Sequence, residues 1–267
     1  FNNLGIKLFY NDLVLGFGNW NAWWGPGIHN SLILSNNAPG FYHYFMEIGD
    51  FENISNNFSY NFKFMSSTAI ENLQGYDYFY SAWFLKLRHK YLELGISRNV
   101  LSGGIDIKWN AYDALQVLIN SKNILMWDSI NEYYIKANFE NIDLVIFFDI
   151  GIPKRNFAGK NQNVYYDHAV ATNMGFRKKG AMGFKNILFG AEYTNLILGR
   201  YFNIIPTPNW FDNKNYNYSS FRGYRWSSHS GTDSDDFLLF IGYEDQKKGI
   251  VYGLNFERHG VTYNFPP

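Results

Sequence analysis

The chain has 267 residues, no net charge and no cysteine, and 20% of its residues are aromatic, including 21 tyrosines and 25 phenylalanines. The balanced charge does not favour nucleic-acid binding, and the lack of cysteine excludes disulfides, thiolate nucleophiles and cysteine-ligated metals. The most apolar runs, "LVIFF" (144–148) and "FLLFI" (237–241), stop after five residues, whereas a membrane helix needs roughly 18.

The strongest pattern along the chain is alternation of apolar and polar residues with a period of two. In "NFSYNFKFM" (57–65) the aromatic side chains Phe58, Tyr60 and Phe62 alternate with small or polar ones. The same pattern recurs in 91–97, 187–194 and 250–257, and such alternation is typical of strands whose two faces meet different surroundings. It predicts strands near 4–10, 13–19, 43–50, 57–65, 79–88, 91–98, 134–140, 143–150, 168–177, 187–195, 237–244 and 249–258, with a short thirteenth at 261–265.

The connections between these strands alternate between short and long. Short ones occur at 11–12, 89–90, 141–142 and 244–248, and long ones at 20–42, 66–78, 99–133, 151–167 and 196–236. Short turns at one rim and long loops at the other are typical of outer-membrane proteins. A bilayer admits a sheet only when the sheet closes on itself. The predicted fold is therefore an all-β, transmembrane antiparallel up-and-down β-barrel, in preference to a soluble sandwich of two sheets.

The direction of the strands bears on domain organisation. With the short turns in the periplasm, the strand at 4–10 starts outside the cell, whereas both ends of a bacterial barrel normally lie inside. We therefore expect an odd number of strands before Phe1, or a second chain that supplies them. Residues 1–267 are predicted to form a single outer-membrane barrel domain, with N-terminal strands and a signal peptide outside this sequence. In the long loops, 111–119 has helical spacing and 216–226 is a candidate strand.

The loop "NWNAWWGPGIHNSLILSNNAPGF" (19–41) gathers three tryptophans and five asparagines. Flat rings beside amide donors and acceptors suit a sugar, which has apolar faces and a rim of hydroxyls. Alternatively, the tryptophans belong to the aromatic girdle at the membrane surface or plug the barrel.

The segment "WWGPGIHNSLILSNNAPGF" resembles the signature of the Wzi family of capsule-assembly outer-membrane proteins. Later pieces, "AEYTN" (191–195) and "GYRW…HSGTDSDD" (223–236), resemble the C-terminal half of the family. This resemblance implies a monomeric barrel that acts as a surface lectin for capsular polysaccharide and has no known catalysis. It also implies strands and a helical region before the tryptophan-rich segment, in a barrel of about 18 strands.

"HSGTDSDD" (229–236) is the best candidate for chemistry. Its histidine, serine and three carboxylates could form a hydrolase site or a Ca²⁺ site. The plainer interpretation is an extracellular loop whose charges pair with Arg222 and Arg225. The other histidines lack the i,i+4 spacing of metal ligands, so no metal and no cofactor are predicted.

The strand pattern predicts a protein of the bacterial outer membrane, and the resemblance to the Wzi family implies a non-enzymatic lectin that binds and anchors capsular or extracellular polysaccharide. A transport barrel, or a subunit of a larger outer-membrane assembly, is the alternative, and a hydrolase using His229 and Ser230 is a third possibility. The expected partners are polysaccharide, outer-membrane lipid and other outer-membrane proteins. The predicted glycan-binding residues are Trp20, Asn21, Trp23, Trp24, His29, Asn30, Asn36, Asn37, Arg222, Arg225, His229 and Asp233.

Overall fold

Strands form where the sequence alternates. The computed structural model describes residues 3–55, 57–71, 75–104, 118, 128–153, 170–181, 183–197, 220–245 and 248–260. The strands are β1 (Gly5–Tyr10), β2 (Leu13–Gly18), β3 (His43–Ser55), β4 (Phe58–Ser67), β5 (Ile70–Glu71), β6 (Asp77–His89), β7 (Leu92–Gly103), β8 (Asp128–Phe139), β9 (Leu144–Pro153), β10 (Ala171–Ala181), β11 (Phe184–Asn195), β12 (Ser220–Phe221), β13 (Tyr224–Arg225), β14 (Ser234–Glu244) and β15 (Gly249–His259).

Twelve of these strands form one antiparallel sheet in which each strand pairs with the next along the chain. The order is β1-β2-β3-β4-β6-β7-β8-β9-β10-β11-β14-β15, with β5 paired to β6. Strands β12 and β13 form a separate two-residue hairpin. Within the described residues no helix combines the length and apolar character needed to cross a membrane.

The sheet confirms the predicted all-β antiparallel fold. All twelve long predicted strands are present, and the described part of the candidate strand 216–226 contains a hairpin in which β12 pairs with β13. The predicted helix at 111–119 and strand at 261–265 lie outside the described residues, apart from Leu118. That further strands complete the barrel stays a prediction.

The connections define two rims. The turns at 11–12, 90–91 and 140–143 lie at one rim, here called the short-turn rim. At this rim Asn11, Lys90 and Asp143 adopt positive φ angles of 49°, 47° and 50°, the left-handed backbone that tight hairpin turns require. The opposite end, where the long connections lie, is the long-loop rim.

The polarity of the two faces of the sheet is the reverse of that in a water-soluble protein. On the outer face, apolar side chains are exposed, as with Ile241 at 59%. On the inner face, polar side chains are buried, as with Asp149 at 0%. A water-soluble monomer does not expose so continuous an apolar surface, and the described strands do not form the two packed sheets of a sandwich. The polarity is that of a sheet whose outer face meets lipid.

A charge on the outer face should therefore destabilise the protein. We expect Ile96→Lys, in the middle of β7, to lower the free energy of unfolding by about 2 kcal/mol, because a lysine there is transferred into lipid. Urea unfolding in lipid vesicles measures the change. The matched control is Ile142→Lys, since Ile142 is 52% exposed in a short turn where lysine reaches water. Equal effects of the two substitutions would contradict the membrane placement of β7.

Candidate functional site

Residues 19–42, here called the plug, connect β2 to β3 and lie against the inner face near the long-loop rim. The backbone N–H of Trp24 donates to the carbonyl of Leu34 at 2.9 Å, which folds the segment back on itself. Trp24 packs edge-on against Phe84 of β6, with ring centroids 5.0 Å apart. The buried cluster around it includes Leu32, Ile33, Leu34, Phe41, Tyr78, Tyr80 and Trp226.

Glu192 on β11 holds the plug backbone. Its carboxylate accepts hydrogen bonds from the backbone N–H groups of Ile28 (2.5 Å), His29 (3.0 Å) and Asn30 (2.7 Å). Without this acceptor the N–H of Asn30 would be buried without a partner, at a cost of about 1–3 kcal/mol, and the part-buried N–H groups of Ile28 and His29 would lose their acceptor as well. A charged acceptor therefore fixes a non-helical, non-strand segment at this position.

Asn30 links the plug to three other elements. Its Nδ2 donates to Asp236 at 2.7 Å, and its Oδ1 accepts from the Ser228 hydroxyl at 2.8 Å. Its carbonyl accepts from Nδ2 of Asn173 at 3.0 Å. With 1% of its surface exposed, Asn30 has a structural role.

The two glycines that flank Pro26 allow close approach to the sheet. Gly25 has a φ of +106°, and a Cβ there would lie 2.9 Å from the Glu132 carboxylate. A Cβ on Gly27 would lie 2.0 Å from the carbonyl oxygen of Asn30. The two atoms would clash at this distance, so no other residue fits at position 27. The Gly-Pro-Gly motif therefore shapes the plug where it meets the inner face.

Three of the predicted glycan-binding residues are corrected by their burial. Trp24 is 2% exposed, Asn30 1% and Asp233 5%. Their side chains pack inside the protein, so a sugar has no access to them. For Trp24, the interpretation as part of a plug applies, rather than the interpretation as part of the aromatic girdle.

The other predicted residues of the loop are half-buried or exposed. Trp20 packs edge-on against Phe45 at 5.5 Å between ring centroids. Trp23 is half-buried, and its indole Nε1 donates to the carbonyl of Gly27 at 3.1 Å. Asn21 is half-buried and Asn36 exposed. Half-buried Asn37 donates from Nδ2 to the carbonyl of Arg225 at 2.9 Å.

A small cleft opens at the long-loop rim between the two ends of the plug and the β12–β13 hairpin. Its volume is about 80 Å³, and its lining includes Asn19, Tyr42, Phe221 and Arg222. Tyr42 is 44% exposed, and its ring stacks on Phe17 at 5.7 Å. The guanidinium carbon of Arg222 lies 5.4 Å from the centre of the Phe221 ring. The cleft thus combines flat aromatic surface with a positive charge. We name it the rim cleft.

The side chains of the acidic loop at 229–236 lie in different environments. The expected partners of its charges were Arg222 and Arg225, but Asp235 receives a hydrogen bond of 2.8 Å from Nε of Arg258 on β15. The guanidinium of Arg225 lies close to Gly231 of the same loop. The Ser230 hydroxyl bonds to Ser228 at 2.9 Å.

Two histidines that are far apart in the sequence meet at Asp236. His29 of the plug and His229 lie with their ring centroids 4.6 Å apart, and both Nε2 atoms face the Asp236 carboxylate. The i,i+4 criterion did not find this group because it tests only neighbours along the chain. Glu192 was also missed as a site residue, although a lone carboxylate on an otherwise small, uncharged strand face is a signal that could have found it.

The family model described as "Capsule assembly protein Wzi" matches residues 6–144. No curated protein matches the sequence. A solved structure of Wzi, described as an outer-membrane protein involved in group 1 capsule assembly in Escherichia coli and as a carbohydrate-binding β-barrel, is similar with a TM-score of 0.73 and 14% identity. The similarity covers 95% of this chain and 56% of that one.

Proposed function

The chain belongs to the Wzi capsule assembly family, and we propose that it is a surface lectin that binds and anchors capsular or extracellular polysaccharide. It is a protein of the bacterial outer membrane, and its outer face meets lipid. The carbohydrate binding described for the solved Wzi structure supports this proposal.

The rim cleft is the observation that carries the proposal. Tyr42 and Phe221 offer flat apolar surfaces on which a sugar ring can lie, and Arg222 can pair with the carboxylate of an acidic sugar. The cleft of about 80 Å³ is much smaller than the roughly 300 Å³ of a pocket that encloses a small ligand. It suits the side of a long polymer that passes over the rim.

Binding without catalysis agrees with the geometry of the acidic loop. A serine hydrolase needs a base within hydrogen-bond reach of its nucleophile. Here Nε2 of His229 faces Glu257 at 2.9 Å, whereas the Ser230 hydroxyl bonds to Ser228. We therefore propose no turnover of the polysaccharide.

The plug bears on the alternative that the chain is a transport barrel. The buried cluster around Trp24 occupies the inner face, so a wide pore at this position requires the plug to leave. The alternative that the chain is a transport barrel, or a subunit of a larger assembly, stays a prediction. No contact among the described residues specifically supports it.

The rim cleft is tested by the double variant Tyr42→Ala/Arg222→Gln. We expect its affinity for extracellular polysaccharide, purified from the bacterium that encodes the chain, to fall at least about tenfold, or about 1.4 kcal/mol. The loss follows from removing one stacking surface and the positive charge. Binding of the detergent-solubilised protein is measured by biolayer interferometry, with dextran as the neutral comparison.

The matched control is Tyr44→Ala. Tyr44 lies two residues further along, is 59% exposed and also contacts Phe17, but does not line the rim cleft. An unchanged affinity in a correctly folded double variant would remove the rim cleft from the proposal. Equal losses in the two variants would point to a non-specific effect of the outer aromatic surface.

A further inference from the structure

A group of nitrogen and oxygen atoms converges where the plug meets the last two strands. His29 comes from the plug, His229 from the loop before β14, and Asp236 from the start of β14. One possible ligand atom from each of these residues lies within 4.8 Å of the other two. Residues separated by about two hundred positions in the chain thus present metal-binding atoms to one point.

The separations suit a tetrahedral metal ion. Nε2 of His29 lies 3.5 Å from Oδ2 of Asp236, and Nε2 of His229 lies 3.3 Å from the same oxygen. Zinc bonds to nitrogen and oxygen of about 2.0–2.1 Å place two tetrahedral ligands about 3.3 Å apart. The pair distances therefore leave room for an ion among the three residues.

Two atoms of the group lack another partner. Nε2 of His29 and Oδ1 of Asp236 are buried and have no hydrogen-bond partner within the described part of the chain. Asp236 itself is 1% exposed. A buried nitrogen and a buried carboxylate oxygen without partners are costly. A cation held by Nε2 of His29 and by Oδ2 of Asp236 would give the nitrogen a partner and offset the buried charge of the carboxylate.

Neighbouring residues orient the group and offer a fourth ligand. Nδ2 of Asn30 donates to Oδ2 of Asp236 at 2.7 Å, which fixes the carboxylate. Oε1 of Glu257 on β15 lies 2.9 Å from Nε2 of His229. Glu257 is in turn contacted by Asn255 at 2.6 Å. Supporting hydrogen bonds of this kind are typical of metal sites.

We propose that His29, His229 and Asp236 form a zinc site, with Glu257 or water as the fourth ligand. Imidazole nitrogens with one or two carboxylates suit Zn²⁺, whereas Ca²⁺ takes six to eight oxygen ligands. The side chains of His29 and His229 are 30% and 27% exposed, so an ion can enter from solvent. The bound ion would connect the plug to β14 and β15. This inference does not depend on polysaccharide binding.

The test uses the whole protein in detergent, stripped with a chelator and then desalted. Zn²⁺ is titrated by calorimetry, and the retained metal is measured by elemental mass spectrometry. We expect the unaltered protein to bind about one Zn²⁺ per chain. In His29→Gln and in His229→Gln the affinity for Zn²⁺ should fall by more than the roughly 10–100-fold loss that is typical when a residue supporting a ligand is removed. The matched control is His89→Gln, at the end of β6 on the short-turn rim, which should bind as the unaltered protein does.

A second measurement separates loss of a ligand from loss of fold. Co²⁺ in place of Zn²⁺ should give the visible absorption of tetrahedral cobalt in the unaltered protein and in His89→Gln, and not in His29→Gln. Zn²⁺ should also raise the Tm of the unaltered protein and of His89→Gln, and leave the Tm of His229→Gln unchanged. Absence of Zn²⁺ binding by the unaltered protein, or equal binding by all variants, would overturn the proposal.

Discussion

Glu192→Gln is expected to detach the plug from the sheet and to lower the free energy of unfolding by about 3–5 kcal/mol. The carboxylate accepts from three backbone N–H groups at 2.5–3.0 Å. Glutamine keeps one oxygen but turns an NH₂ group toward these donors, so at least one N–H group is buried without an acceptor. Urea unfolding in detergent measures the stability, and limited proteolysis near residues 28–30 reports release of the plug.

Glu47→Gln is the matched control for this variant. Glu47 is also an inner-face carboxylate, on β3, but it is 26% exposed and forms an ion pair of 3.3 Å with Lys63. Partly exposed ion pairs contribute about 0–1 kcal/mol, so this variant should stay close to the unaltered protein. If Glu192→Gln were equally mild and as resistant to protease, the carboxylate would not be what anchors the plug.

Trp24→Ala is expected to cost about 3–5 kcal/mol, the range for removing a large aromatic side chain from a packed core. Trp24 is 2% exposed and packs on Phe84, so its removal leaves a cavity that the surrounding strands cannot fill. Thermal unfolding in detergent measures the effect. Polysaccharide affinity should be unchanged under conditions where the variant remains folded, since the ring does not reach solvent.

The adjacent Trp23→Ala provides the comparison. Trp23 is half-buried, and its indole makes one hydrogen bond of 3.1 Å to Gly27, which contributes about 1 kcal/mol. We expect a clearly smaller loss of stability. A Trp24→Ala protein of normal stability that no longer binds polysaccharide would reverse the assignment and make Trp24 a ligand contact.

The strands were predictable because their information is local. In β7, Leu92, Leu94 and Ile96 alternate with Glu93 and Ser97 in the sequence, and the structure exposes the first three and buries the other two. An apolar outer face and a polar inner face impose a period of two that needs no knowledge of distant residues. The short turns then fix which strands are neighbours.

The plug was not predictable in the same way. Its backbone is irregular, so no period marks which side chains point inward. Its position depends on Glu192, Asp236 and Ser228, which lie more than 160 residues away in the chain. Composition alone marked the tryptophans as special but did not distinguish Trp24, inside the core, from Trp23 beside it. Likewise, His29 and His229 meet only because the plug lies on the inner face of the sheet beside Asp236 of β14.

The anchoring of the plug by late strands has a consequence for the order of folding. Residues 28–30 precede their acceptor on β11 by more than 160 positions, so this contact closes a loop that contains all the hairpins between them. Contacts between such distant residues form slowly, because a long loop has to close first. We therefore expect the plug to settle last, into a sheet that is already largely paired, and early intermediates to present their buried carboxylates to water.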